Sequence, residues 1–168
     1  INTGSDNTIY GYLAGNALTS GSDNVALGST SLYTATTTSG NTAVGSNALK
    51  LTTGDSNTAI GRQAMEDNST GSNNVAVGME AMLQNTTGGD NTAIGYGSLE
   101  NNTTGTSNTA VGRDALEAST GNANVGVGYQ AGKANTSGQI IAIGYQTMQS
   151  NTTGTRNIAI GGNAYDSS

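Results

Sequence analysis

Cysteine, proline, histidine, tryptophan and phenylalanine are all absent from this chain of 168 residues. Without cysteine the fold must hold without disulfides, whatever the compartment. Without histidine and cysteine there can be no Ser-His-Asp triad, no thiolate nucleophile and no zinc site of the usual kind. Without proline, backbone ladders can run on with no lost donor. Basic residues are scarce, 5 against 11 acidic ones for a net charge of −6, so the electrostatic footprint of a nucleic-acid binder is missing. No stretch approaches the ~20 apolar residues of a membrane-spanning helix. Hydrophobic residues make up only 33% of the chain, and many are Ala, too little to fill a wide globular core. An initiating Met and a signal peptide are also lacking, and Ile1 to Gly4 reads as the tail of a preceding repeat. The chain is therefore expected to be a piece excised from a longer protein.

What is present is Gly, Ser, Thr and Asn, a composition that also suits disorder. The spacing of the aliphatics argues against disorder. Aligned on the Gly that follows a short aliphatic run, the chain falls into ten units, marked by Gly11, Gly28, Gly45, Gly61, Gly78, Gly95, Gly112, Gly128, Gly144 and Gly161. Successive markers lie 16 or 17 residues apart, and the units fill residues 1–168 as a single repeat domain. Each reads approximately G-x-x-N-[TV]-A-[IV]-G-x-x-A-[LM], as in Asn57-Thr58-Ala59-Ile60-Gly61 followed by Ala64-Met65.

Such a unit is too short for a helix pair or a propeller blade. It predicts one coil of an all-β parallel solenoid, with two short strands and two turns. Stacked ~4.8 Å apart, the coils would make a rod of roughly 48 Å. Alternation sends Thr58 and Ile60 to one face and Ala59 to the other. Nine of ten units open the strand with Asn, the ninth having Ile140, and stacked Asn side chains predict a hydrogen-bonded ladder along the axis.

Two columns compete for the interior. Assigning it to the larger aliphatics (Ile60, Ile94, Val111) leaves the Ala column outside. Ala43, Ala59, Ala76, Ala93, Ala110, Ala142 and Ala159 then form either part of a double interior or a contact with another chain, and the contact of a homotrimer is the favoured expectation. Asp114 falls outside both columns and is expected to be inconsequential.

The N-[ST]-[AV]-[AI]-[IV]-G core resembles the head repeats of trimeric autotransporter adhesins, and the longer N-T-A-I-G-Y-Q-A-L type of unit resembles those of phage tail fibres and related surface fibres. The resemblance covers essentially all ten units, and departs in using 16 or 17 residues per coil where adhesin heads commonly use fewer. It implies a left-handed β-roll, a homotrimer, an extracellular location on a cell surface or virion, and a role in attachment to a surface, glycan or host receptor.

Candidate chemistry is sparse, and no enzyme, cofactor or metal is expected. Glu100 and Glu117 share a repeat phase, so two stacked carboxylates could serve a polysaccharide depolymerase; solvated surface glutamates are the plainer account. Asp6 and Asp23 stack before the Asn, without the repeat pattern of calcium rolls. The position after each Gly carries Tyr96, Arg113, Tyr129 and Tyr145, a column suited either to glycan binding or to packing. Asn68, Asn85, Asn102, Asn135 and Asn151 open formal glycosylation sequons. An ice-binding solenoid is the remaining alternative, but its Thr array would be half filled by Val and Ile.

Overall fold

A computed structural model describes residues 3–165; the outermost residues of the expected preceding repeat, Ile1 and Asn2, lie outside that range. Ten strands of three residues each run from β1 (Thr8–Tyr10) through β2 (Val25–Leu27), β3 (Thr42–Val44), β4 (Thr58–Ile60), β5 (Val75–Val77), β6 (Thr92–Ile94), β7 (Thr109–Val111), β8 (Val125–Val127) and β9 (Ile141–Ile143) to β10 (Ile158–Ile160). They form one parallel sheet in strict sequence order. Ala59 pairs with Ala76 and Ala76 with Ala93, so each residue sits directly over its counterpart. Neighbouring coils thus supply every strand with its ladder partners, and the fold is a parallel β-solenoid.

Each coil turns a corner at its marker glycine. Gly61 has φ +137°, and a Cβ there would lie 2.4 Å from the Gly78 carbonyl oxygen of the next coil. A side chain at this corner would meet the stacked backbone in the first nine units, and the backbone angle itself, φ +119° at Gly161, favours Gly in the tenth.

Beyond the corner the expected second strand does not form. Alternate residues instead adopt left-handed backbone: Asn47 and Leu49 at φ 60° and 47°, Gln63 and Met65 at 60° and 49°. Such angles cost an ordinary residue about 1–2 kcal/mol. The offsetting gain is that their amides reach both neighbouring coils. Asn47 N–H donates to Ser29 O on one side, and Leu49 N–H to Ala64 O on the other, each at 3.0 Å. The left-handed twist also turns Leu49, Met65, Met82, Leu99 and Leu116 inward, where all are fully buried.

Those Leu and Met side chains decide the interior. They fill the space opposite the strands and leave room there only for a methyl group. The Ala column is accordingly inside: Ala43, Ala59, Ala76, Ala93, Ala110 and Ala142 are 0% exposed within a single chain, and Ala159 is 7%. The assignment of this column to an intersubunit contact is corrected by that burial. Ile60 and Ile94, assigned to the interior, are instead about 40% and 41% exposed on the outer face of the sheet, and Val111 is half-buried beside them. The alternation itself holds; its polarity is reversed.

Buried Asn ladders complete the core. Asn91 donates through Nδ2 to Asn74 Oδ1 at 3.2 Å and to Gly105 O at 2.8 Å, while its Oδ1 accepts from Asn108 N–H at 2.9 Å. A second ladder joins Asn68, Asn85 and Asn102, with Asn85 Nδ2 donating to Asn68 Oδ1 at 2.6 Å. These amides satisfy backbone carbonyls at the corners, where leaving one orphaned would cost about 1–3 kcal/mol. Among the described residues no helix is long and apolar enough to cross a membrane.

Candidate functional site

The position just past each marker glycine projects from the outside of the corner, and one coil follows another at strand spacing. Side chains there are bound to meet. Tyr129 and Tyr145, in adjacent coils, stack with centroids 5.3 Å apart and planes 15° from parallel. The Arg113 guanidinium lies 5.2 Å from the Tyr96 ring centre and 6.0 Å from that of Tyr129. All four expected residues therefore form one continuous column across four coils. Within it the rings spend their faces on one another and on the guanidinium, leaving mainly edges and hydroxyls to solvent. The outer face of Tyr145 is the exception, because the next residue of the column is Gly162, and Tyr145 is 55% exposed.

A charged network runs beside the tyrosines. Lys50 pairs with Glu66 at 3.0 Å, Arg62 with Glu80 at 2.8 Å and Lys133 with Glu117 at 2.9 Å. A hydrogen bond to Glu80, reinforced by its charge, raises the Tyr96 hydroxyl above the usual tyrosine range. Glu100 is also raised, first by burial and then by the charges of Glu117, Glu80 and Asp114. Gly97 opens the space in which Glu100 and Asp114 approach each other, each having a carboxylate oxygen about 3.0–3.1 Å from where a Gly97 Cβ would lie. Asp114 is no bystander: it is 6% exposed, sits at φ 54°, and accepts from Gln130 Nε2 at 3.3 Å. Its burial was illegible from the repeat because that position varies from Thr to Gln to Asp.

The expected carboxylate pair is thus dissimilar, with Glu117 held by Lys133 and Glu100 among like charges. Asp6 and Asp23 occupy left-handed corner positions at φ 57° and 59°, both exposed. No group of three or more potential ligands among the described residues could hold a metal ion. The sequon asparagines Asn68, Asn85, Asn102 and Asn135 are fully buried in the interior ladders, so a folded coil presents none of these four amides for glycosylation; Asn151 is half-buried. Comparison with known proteins finds no matching family model, curated protein or solved structure.

Proposed function

We propose that this chain is the structural and adhesive part of an extracellular trimeric fibre, a head or shaft segment that spaces, stiffens and attaches. The observation carrying this reading is the outer face of the sheet. Both outward positions of every strand are β-branched or Leu apart from Tyr10, giving two parallel columns from Thr8 and Tyr10 to Ile158 and Ile160. On the internal strands Ile60, Val75 and Ile94 are exposed by about two-fifths, and the other outward residues of β2 to β9 are half-buried. One column is aliphatic from Leu27 to Ile160 and the other mixes Thr with Val and Ile, and an aliphatic column of this length, roughly 45 Å by strand spacing, is one that soluble chains cover. Three copies around an axis parallel to the solenoid would bury it in a closed assembly. The threefold count, the left-handed winding and the extracellular setting come from the resemblance to adhesin and fibre repeats. The Tyr and Arg column then lies at the rim, available to a surface glycan.

Sedimentation equilibrium on the folded protein should give three chains per particle. Ile60→Asp combined with Ile94→Asp should yield monomers that keep the parental circular dichroism spectrum. A parental protein that stays monomeric at its highest soluble concentration would defeat the assembly. Beads coated with the trimer should bind immobilised polysaccharide, and Arg113→Ala with Tyr145→Ala should release them.

A further inference from the structure

At the opposite end of the strands from the tyrosines, the residue six places before the marker glycine performs a service in five neighbouring pairs of coils. Its side-chain oxygen caps the amide of its counterpart one coil earlier. Ser5 N–H donates to Ser22 Oγ and Ser22 N–H to Ser39 Oγ, both at 3.1 Å. Ser39 N–H donates to Asp55 Oδ1 at 2.8 Å, and Thr106 N–H to Asn122 Oδ1 at 2.8 Å. At Gly138 the service fails for want of a side chain. No oxygen among the described residues caps the Asn122 amide, and a Cβ at Gly138 would lie 2.7 Å from the Asn122 carbonyl oxygen and 3.2 Å from that nitrogen, too close to the backbone for a side chain to be added without a shift. An open groove of about 520 Å³ lies here, lined by Gly121, Asn122, Gly138, Gln139, Thr155 and Arg156.

The groove is also the one place with uncompensated positive charge among the described residues. Lys50, Arg62, Arg113 and Lys133 each pair with a carboxylate. Arg156 has only Gln139, to whose Oε1 its Nε donates at 3.1 Å, and that contact leaves both terminal nitrogens of the guanidinium available. No acidic residue lines the groove. A built-in contrast exists at Gly89, which interrupts the same cap row. There the neighbour is Asp90, accepting from Asn73 Nδ2 at 3.3 Å, so the second gap repels what the first attracts.

We propose that the Gly138 groove binds the carboxylate of an acidic sugar unit in a surface polysaccharide. One carboxylate oxygen takes the place of the absent side-chain oxygen at the Asn122 amide, and the Arg156 guanidinium neutralises the charge. Thr155 and Gln139 offer hydroxyl and amide partners to the ring hydroxyls. This deepens the attachment reading, on which the choice of a saccharide rests, by naming the chemical class of receptor.

The test titrates the folded protein with a tetramer of galacturonic acid, a tetramer of galactose, and acetate, following amide chemical shifts. The acidic tetramer should shift residues 121–123, 138–139 and 155–156. Arg156→Gln should weaken its binding by about tenfold or more, and Asp90→Ala should leave it unchanged. Equal binding of the galactose tetramer, parental affinity in Arg156→Gln, or acetate binding as tightly as the acidic tetramer would each overturn the proposal. Mass measured on the same samples separates the two readings. A trimer that ignores the acidic tetramer sinks the groove alone, and a monomer that binds it sinks the fibre alone.

Discussion

Single residues in this fold are chosen by the coil above and the coil below as much as by their own neighbours in sequence. The eighth and ninth coils show it. Gly132 stands where other coils place a buried Leu or Met, and Ile140 stands where they place the ladder Asn. A Cβ at Gly132 would lie 2.8 Å from Leu116 Cδ2 and 3.1 Å from Ile140 Cδ1. Leu116 and Ile140 thus fill the volume that Gly132 vacates. Leu116 also explains Gly126, where a Cβ would lie 2.7 Å from its Cγ. The first coil makes a similar exchange between Gly15 and Ile9, a Cβ at Gly15 lying 2.7 Å from Ile9 Cδ1. Gly132→Leu alone should overpack the core and cost about 1–3 kcal/mol. Ile140→Asn alone should leave a hole at comparable cost. Together they restore the common pattern, so urea unfolding of the four proteins should show a coupling of about 1 kcal/mol or more in favour of the double variant. Strictly additive losses would mean that the two sites do not share one space.

The strand is the element whose reading separates what the sequence shows from what it hides. The period, the marker glycines, the parallel stacking and the Asn ladder were all legible, because each rests on a residue type that repeats in register. Which face of Thr-Ala-Ile points inward was not. Size favoured Ile inside, and the strand alone contains nothing to oppose that. The opposing fact lies in the left-handed half of the coil, where Leu49, Met65 and Leu116 turn inward and leave the strand side only a methyl's depth. Left-handed Leu and Met are too uncommon to expect from sequence. The two faces should now fail differently. Ala110→Asp puts an unpaired carboxylate inside the coil, a cost of several kcal/mol, and should break the stacking around the seventh coil and lower the sheet signal in circular dichroism. Val111→Asp, one residue on but facing outward, should leave that signal intact. Survival of the Ala110 variant with loss of the Val111 variant would restore the discarded polarity.

As a whole molecule the chain is one-dimensional: among the described residues each strand contacts only its neighbours in sequence. Stability should then be close to a sum of coil and interface contributions, with no central core whose loss ends everything. A deletion that respects the stacking period should shorten the rod and leave its remaining interfaces unchanged. Removing residues 79–95 joins Gly78 to Tyr96, so one complete coil of 17 residues leaves and each surviving ladder keeps its register. The shortened protein should fold with an unchanged spectrum per residue. Its urea m-value should fall by roughly a tenth, in proportion to the surface no longer buried. Removing residues 79–86 instead takes out half a coil and would set left-handed corner positions over strand positions. Amides in the two halves would then face no acceptor at the stacking distance, and that protein should not fold past the fifth coil. Hydrogen exchange can read the difference directly. The period-length deletion should keep strong protection in the central strands and fraying only at β1 and β10, whereas the half-coil deletion should lose protection on one side of the cut. Equal tolerance of both deletions would show that the chain is not held by residue-on-residue stacking.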